Sequence, residues 1–194
     1  MDYNHEFGSV DLILKSEFET KGIDAFCLSL IKVEKQLRRI FTYFIFQHEN
    51  FTTVSTIYEL SDTLSSNTNM YFENFIKGID KVYPKSIKAI YGDSYDLDLA
   101  HLIEITKDRN KIFHGQITSK KLNREDLIAR VEIMKNWSKT IADKFSQEIG
   151  YDGFGRNSYR KSKLKIKLNN SDEFSNVENY KTFLNTIDRK AKLS

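Results

Sequence analysis

The sequence predicts an all-α protein, and three observations carry the prediction. Proline occurs once, at Pro84, and glycine eight times in 194 residues, which is too little turn-forming material for an all-β chain. Apolar residues recur at intervals of three and four rather than two through most of the chain. Residues that cap helices precede these stretches, and glycines follow several of them. The expected object is an antiparallel helical bundle of four to five main helices over residues 1–150, followed by a basic C-terminal extension over 151–194 with a possible short helix.

Taken in order, Ser9 is a candidate N-cap for a first short helix through Val10, Leu14 and Phe18, stopped by Gly22. From Ile23 to about Gln47, the residues Phe26, Leu30, Val33, Leu37, Ile40, Phe41, Phe44 and Ile45 recur with helical spacing, which makes this stretch the expected central helix. Two more amphipathic segments, 53–65 and 69–83, flank a polar run and end at Pro84. After a short apolar piece (Ile87, Ile90, Tyr91), a helix is predicted from about Asp96 to Phe113, ending near His114 and Gly115. Asn123 and Asp126 form a capping-box pattern for a helix through Leu127, Val131, Met134, Ile141 and Phe145, with Gly150 as its stop. Met134 and Trp137 read as core. Lys163 to Leu168 alternates basic and apolar residues as a strand or extended arm does, and 176–190 can form a last short helix.

Composition narrows the function. Cys27 is the only cysteine, and the four histidines are scattered, so neither a disulfide framework nor a cysteine-built zinc site is expected, and a cytoplasmic setting fits. The apolar run Phe41–Phe46 is far too short to span a bilayer, and the first residues lack a basic leader region, so no membrane association is expected. The net charge of +3 conceals an asymmetry: residues 1–150 carry 20 Lys and Arg against 22 Asp and Glu, whereas in 151–168 Arg156, Arg160, Lys161, Lys163, Lys165 and Lys167 face only Asp152. Such a segment attracts polyanions, and nucleic acid is the commonest in a cytoplasm. Tyr151, Phe154 and Tyr159 interleave with these charges in the manner of single-strand binders, which makes Arg156, Arg160, Lys161 and Lys163 candidate RNA contacts. A solvated linker whose rings pack back on the bundle is the equal alternative.

No phosphate-binding glycine loop, nucleophile elbow or metal-spaced histidine pair is present, and no cofactor or metal is expected. What stands out is Asp108-Arg109-Asn110-Lys111-Ile112-Phe113-His114-Gly115. Cleaving RNA without a metal requires a proton acceptor for the 2′-hydroxyl, a donor for the leaving oxygen and positive charge against the transition state. Histidine titrates in the right range, and arginine offers a fork to two phosphate oxygens. The opposing reading is structural, since Arg and His in the last turn of a helix favour its dipole and Gly is a common stop.

Arg109-Asn110-x-x-x-His114 resembles the motif of the HEPN family (higher eukaryotes and prokaryotes nucleotide-binding), all-α domains whose ribonuclease members carry Arg, four to six residues, then His, often with a polar residue after the Arg. The resemblance covers roughly residues 20–150 as architecture and six residues as a motif. It implies a metal-independent endoribonuclease that works as a homodimer and serves as a toxin of a toxin–antitoxin pair or as a phage-defence effector cutting cellular RNA. An antitoxin or regulatory protein would then reside on another chain. In that reading His114 is the general acid/base, Arg109 the phosphate clamp and Asn110 an orienting group. Arg109 and His114 are five positions apart, about 140° around a regular helix, so one helix presents the pair poorly. Unwinding after Phe113, or a two-fold dimer, would bring them to one cleft. Glu34, inside the apolar central helix, is a candidate supporting residue because a buried acid needs a cation; a surface pair with Arg38 is the alternative. The rival class is a non-catalytic helical module that dimerises or binds RNA or a protein partner.

Overall fold

The computed structural model describes residues 2–118, 120–155 and 157–188. Its elements are α1 (Tyr3–Lys15), α2 (Lys21–Phe46), α3 (Val54–Ser66), α4 (Phe72–Val82), α5 (Ile87–Tyr91), α6 (Tyr95–Phe113), α7 (Arg124–Ile149), a 3₁₀ turn (Ser171–Phe174) and α8 (Val177–Ile187). The protein is all-α, with no strand among the described residues. None of these helices is long and apolar enough to cross a membrane.

Helix α2 is the axis of the bundle. It packs against α1, α4 and α7, and its buried positions include Phe26, Leu30, Val33, Leu37, Ile40, Phe41 and Phe44. The apolar periodicity seen in the sequence is thus the face that carries the other helices. Helix α7 lies beside it through Val131, Met134, Ile141 and Phe145, with Trp137 buried against Tyr91 and Tyr95. Asn123 and Asp126 form the expected reciprocal cap, Asp126 N–H donating to Asn123 Oδ1 (2.9 Å) and Asn123 N–H to Asp126 Oδ2 (3.0 Å).

The structure departs from the sequence reading in several places: α1 ends at Lys15, so Phe18 is exposed beyond it and Gly22 lies inside α2 rather than stopping α1. Helix α1 begins at Tyr3, capped by the Asp2 carboxylate accepting from His5 N–H (3.0 Å), so Ser9 lies inside the helix rather than at its start. An acceptor one turn upstream of the first apolar contact does the work that the sequence assigned to Ser9. Residues 163–168 run without regular structure; a helical bundle offers no strand edge with which they could pair. The last departure concerns the extension, because residues 151–188 are built into the same core as the bundle: Tyr151, Phe154, Phe174, Tyr180, Phe183, Leu184 and Ile187 are all buried in it.

The join is made on α2. Gly150, in the left-handed region (φ +70°), ends α7 and turns the chain. Tyr151 then stacks on Tyr43 with centroids 4.4 Å apart, and the buried Gln36 amide donates to the carbonyls of Ser138 and Asp152, both at 3.0 Å. Gly153 (φ +83°) passes so close that an added Cβ would meet Gln36 Cγ at 2.6 Å and the Gln36 carbonyl oxygen at 3.1 Å. Only glycine combines that backbone conformation with that approach.

Two outcomes test this account by denaturant unfolding. Gly153→Ala should cost on the order of 2 kcal/mol or more through strain and overlap, and Phe154→Ala about 3–5 kcal/mol as a core truncation. A chain stopped after Gly150 should lose the cooperative transition, because α2 would expose aromatic surface that residues 151–188 cover.

Candidate active site

Helix α6 is fixed along its first three turns and freed at its end. Tyr95, Leu102, Ile105 and Asp108 are its buried residues. Arg130 of α7 holds it, reaching Asp108 (2.8 Å) and Glu104 (3.3 Å), and Glu104 also takes Lys120 (2.6 Å) from the following loop. Glu104 is therefore a fastening point, its carboxyl held below the usual range chiefly by the hydrogen bond from Lys120.

Beyond Asp108 the helix carries the motif into solvent. Phe113 is its last residue, and His114 is the C-cap with φ −89° and ψ 11°. Gly115 N–H donates to the Ile112 carbonyl (3.0 Å) and Gln116 N–H to the Lys111 carbonyl (2.8 Å), with Gly115 left-handed at φ +65°. This paired closure is a Schellman cap, which requires the left-handed residue that glycine supplies. His114 N–H still donates to the Asn110 carbonyl (3.1 Å), so the chain turns out of the helix after His114, one residue later than the reading required, and His114 stands at the C-cap. Asn110 and His114 are both exposed.

Arg109 is positioned, not loose. One guanidinium nitrogen donates to Glu34 Oε1 at 3.0 Å, and the group lies 5.6 Å from the centroid of the Phe113 ring. Both partners are part-buried, at 24% and 27% exposure. The cation required by Glu34 is therefore Arg109 from α6, not Arg38 one turn along its own helix. Burial pushes the Glu34 carboxyl above the ordinary carboxylate range, against the pull of Arg109. The salt bridge and the ring contact together fix the direction of the guanidinium. Phe113, one turn from Arg109, is a contributor that the sequence reading treated only as the helix end; the i, i+4 spacing of Arg and an aromatic was the available signal.

The basic segment takes a different place. Lys161 Nζ donates to the Phe46 carbonyl (2.7 Å) and the His48 carbonyl (2.6 Å) while lying 5.0 Å from the Phe46 ring centroid. It caps the C-terminal end of α2, whose carbonyls attract a cation. Gln47 clamps the same stretch, donating to the Arg160 carbonyl (3.0 Å) and accepting from Ser162 N–H (2.8 Å). Tyr151 and Phe154 are buried and Tyr159 packs on Phe46, so these rings face the bundle instead of stacking on bases. Arg160 and Lys163 are exposed; Arg156 lies outside the described residues. Gln36 and Tyr43, which carry residues 151–152, lie about 180–200° around α2 from Glu34, and the Lys161 contact is about 18 Å further along the axis.

Two predictions follow from these placements. A carboxyl raised in the folded state contributes stability that is complete below its unfolded value and lost as pH rises through the folded one. Relative to Glu34→Gln, the wild type should therefore lose stability as pH rises through and above the ordinary glutamate range, measured as the pH dependence of the difference in unfolding free energy. Lys161→Ala should cost about 1–2 kcal/mol in the same assay by removing two charge-assisted bonds, whereas Arg160→Ala and Lys163→Ala should each stay within about 0.5 kcal/mol.

Comparison with protein-family models, with curated proteins and with solved structures finds no match to this chain.

Proposed function

We propose that the chain is a metal-independent endoribonuclease of HEPN type, acting as a homodimer in the cytoplasm. The observation that carries this reading is the pairing of a guanidinium held by Glu34 and Phe113 with a histidine at the C-cap of the same helix. In the proposed reaction one imidazole takes the proton of the substrate's 2′-hydroxyl. The freed oxygen attacks the adjacent phosphorus, the bond from phosphorus to the 5′-oxygen breaks, and that oxygen receives a proton. The products are a 2′,3′-cyclic phosphate and a 5′-hydroxyl. Arg109 offsets the charge that gathers on the phosphoryl oxygens, and Asn110 orients a phosphate oxygen or His114 by hydrogen bonding.

The reaction needs a base and an acid at one phosphate, and each chain supplies one His114. A two-fold pair supplies both. Phe113 and Ile117, at 59% and 77% exposure, stand beside the motif and provide apolar surface for such a contact. By resemblance, the biological setting is that of a toxin or phage-defence effector cutting cellular RNA, held in check by an antitoxin or regulatory protein on another chain. The same exposed Phe113 and Ile117 favour a second reading, a non-catalytic module that dimerises or docks a partner there.

Incubation of the purified protein with total RNA in EDTA separates the two. The wild type should cleave and leave cyclic-phosphate ends. His114→Ala and Arg109→Ala should each lower the rate by about 10²-fold or more; the exposed His114 is replaced without moving the melting temperature, whereas Arg109→Ala also strips the part-buried Glu34 of its cation and lowers it. Undiminished cleavage by His114→Ala, or a need for magnesium, would remove this assignment. Light scattering should give about twice the 22.8 kDa chain mass, and a fully active monomer would refute the composite site.

A further inference from the structure

Beside the motif, a cleft opens between the first turns of α4 and the outer face of α6. Its volume is about 360 Å³, and its lining includes Tyr71, Phe72, Lys77, Ile103, Lys107 and Asn110, with Arg109 at its edge. Its two walls lean mainly on different neighbours, α4 on α2 and α8 and α6 on α7, while α5 packs on both. The α6 wall is a single stripe. Ile103, Thr106, Lys107 and Asn110 recur at i, i+3, i+4 and i+7, and His114 is the next position on that stripe. Lys107 and His114 are about 10 Å apart along the axis.

The chemistry of the walls is that of a nucleotide site. The floor is apolar, from buried Phe72 and half-buried Ile103. Tyr71 stands at the mouth with 44% of its surface exposed. Lys77 and Lys107 are exposed and take no partner among the described residues, and with Arg109 they face one carboxylate of the lining, Glu73. The cavity falls at the small end of the range of ligand sites, enough for one unstacked base and its phosphate and too narrow for a duplex. Aromatic and apolar faces accept any base, while lysines hold the phosphate as point charges.

We propose that this cleft binds one unpaired nucleotide of single-stranded RNA next to the phosphate that is cut, with its base between Tyr71 and Ile103 and its phosphate against Lys77 and Lys107. The assignment rests on the endoribonuclease reading for the word "cut", but the binding stands or falls by itself. It places the strand along the α6 stripe, so that the chain entering the cleft leads to His114. It also makes Tyr71, Lys77 and Lys107 binding residues that the sequence motif does not contain, and it selects unpaired RNA over duplex.

The test uses the full chain carrying His114→Ala, so that RNA survives, with a fluorescent single-stranded oligoribonucleotide and a hairpin of the same composition as probes. Lys77→Ala with Lys107→Ala should weaken single-strand binding at least tenfold and lower the salt slope by about 0.7, the value for one phosphate contact on a single strand. Tyr71→Ala should weaken it about 5- to 150-fold, hairpin binding should change less than twofold, and the melting temperature should hold in the lysine variant, whose side chains are exposed. Single-strand affinity within twofold of the parent in both variants, or no single-strand binding by the parent, overturns the proposal. Loss in the lysine variant but not in Tyr71→Ala also overturns it, leaving a phosphate contact without a base site. A wild type that binds through the cleft yet cleaves nothing keeps this site and removes the nuclease; one that cleaves with unaltered KM in both variants does the reverse.

Discussion

Because α2 is enclosed by α1, α4 and α7, the polar groups it carries inward draw partners from distant segments, although Gln36 Oε1 takes no hydrogen bond, and those partners help to arrange the rest of the molecule. Gln36 finds two carbonyls, one of which belongs to the chain leaving α7. Arg39 finds the Phe154 carbonyl at 2.9 Å, and the last carbonyls of α2 find Lys161. Glu34 finds Arg109. Unpaired buried polar groups are expensive, so the need to satisfy one helix decides where the C-terminal segment runs and where the motif arginine points.

These contacts are not equivalent in energy. Lys161 and Gln36 complete hydrogen bonding that an unpartnered helix would lack, and they tie distant segments together. Glu34 is different, since its carboxyl is pushed toward the neutral form in the place where it sits. A protein selected only for stability has no use for a half-buried acid of that kind, and an apolar side chain would serve α2 better. Its value lies in pinning a guanidinium that would otherwise sample many rotamers, and pre-organised positive charge is what a phosphoryl transition state needs.

Most of the helices were legible in the sequence because their periodicity and their caps agreed: α2, α6 and α7 lie within two residues of expectation, down to the Asn123–Asp126 box. The start of α1 was hidden because a cap at Asp2, so near the chain's first residue, competes with a better-looking serine downstream. The role of residues 151–168 was hidden for a different reason. Lysines that cap carbonyls and lysines that face solvent are the same letters, and rings that pack inward interleave with charge as stacking rings do. Only the location of the α2 C-terminus separates Lys161 from Lys163. For the candidate site, the Arg and His could be named from their spacing and Glu34 from its burial, whereas the cleft depends on the relative placement of α4 and α6, two helices that no local pattern relates.

The packing of residues 151–188 onto α2 has a consequence for how the chain is made. Phe41, Tyr43 and Phe46 are covered in part by Phe183, Tyr151 and Tyr159, which are synthesised after α7. At about 5–20 residues per second, the ribosome leaves that aromatic face bare for about 2–8 seconds after α7 is complete. During that interval the nascent polypeptide is a substrate for chaperones, and α2 cannot settle against its final neighbours. Maturation of the fold is therefore tied to completion of the C-terminal segment, so a nascent chain arrested before Tyr180 would expose a sticky surface and would be cleared rather than accumulate.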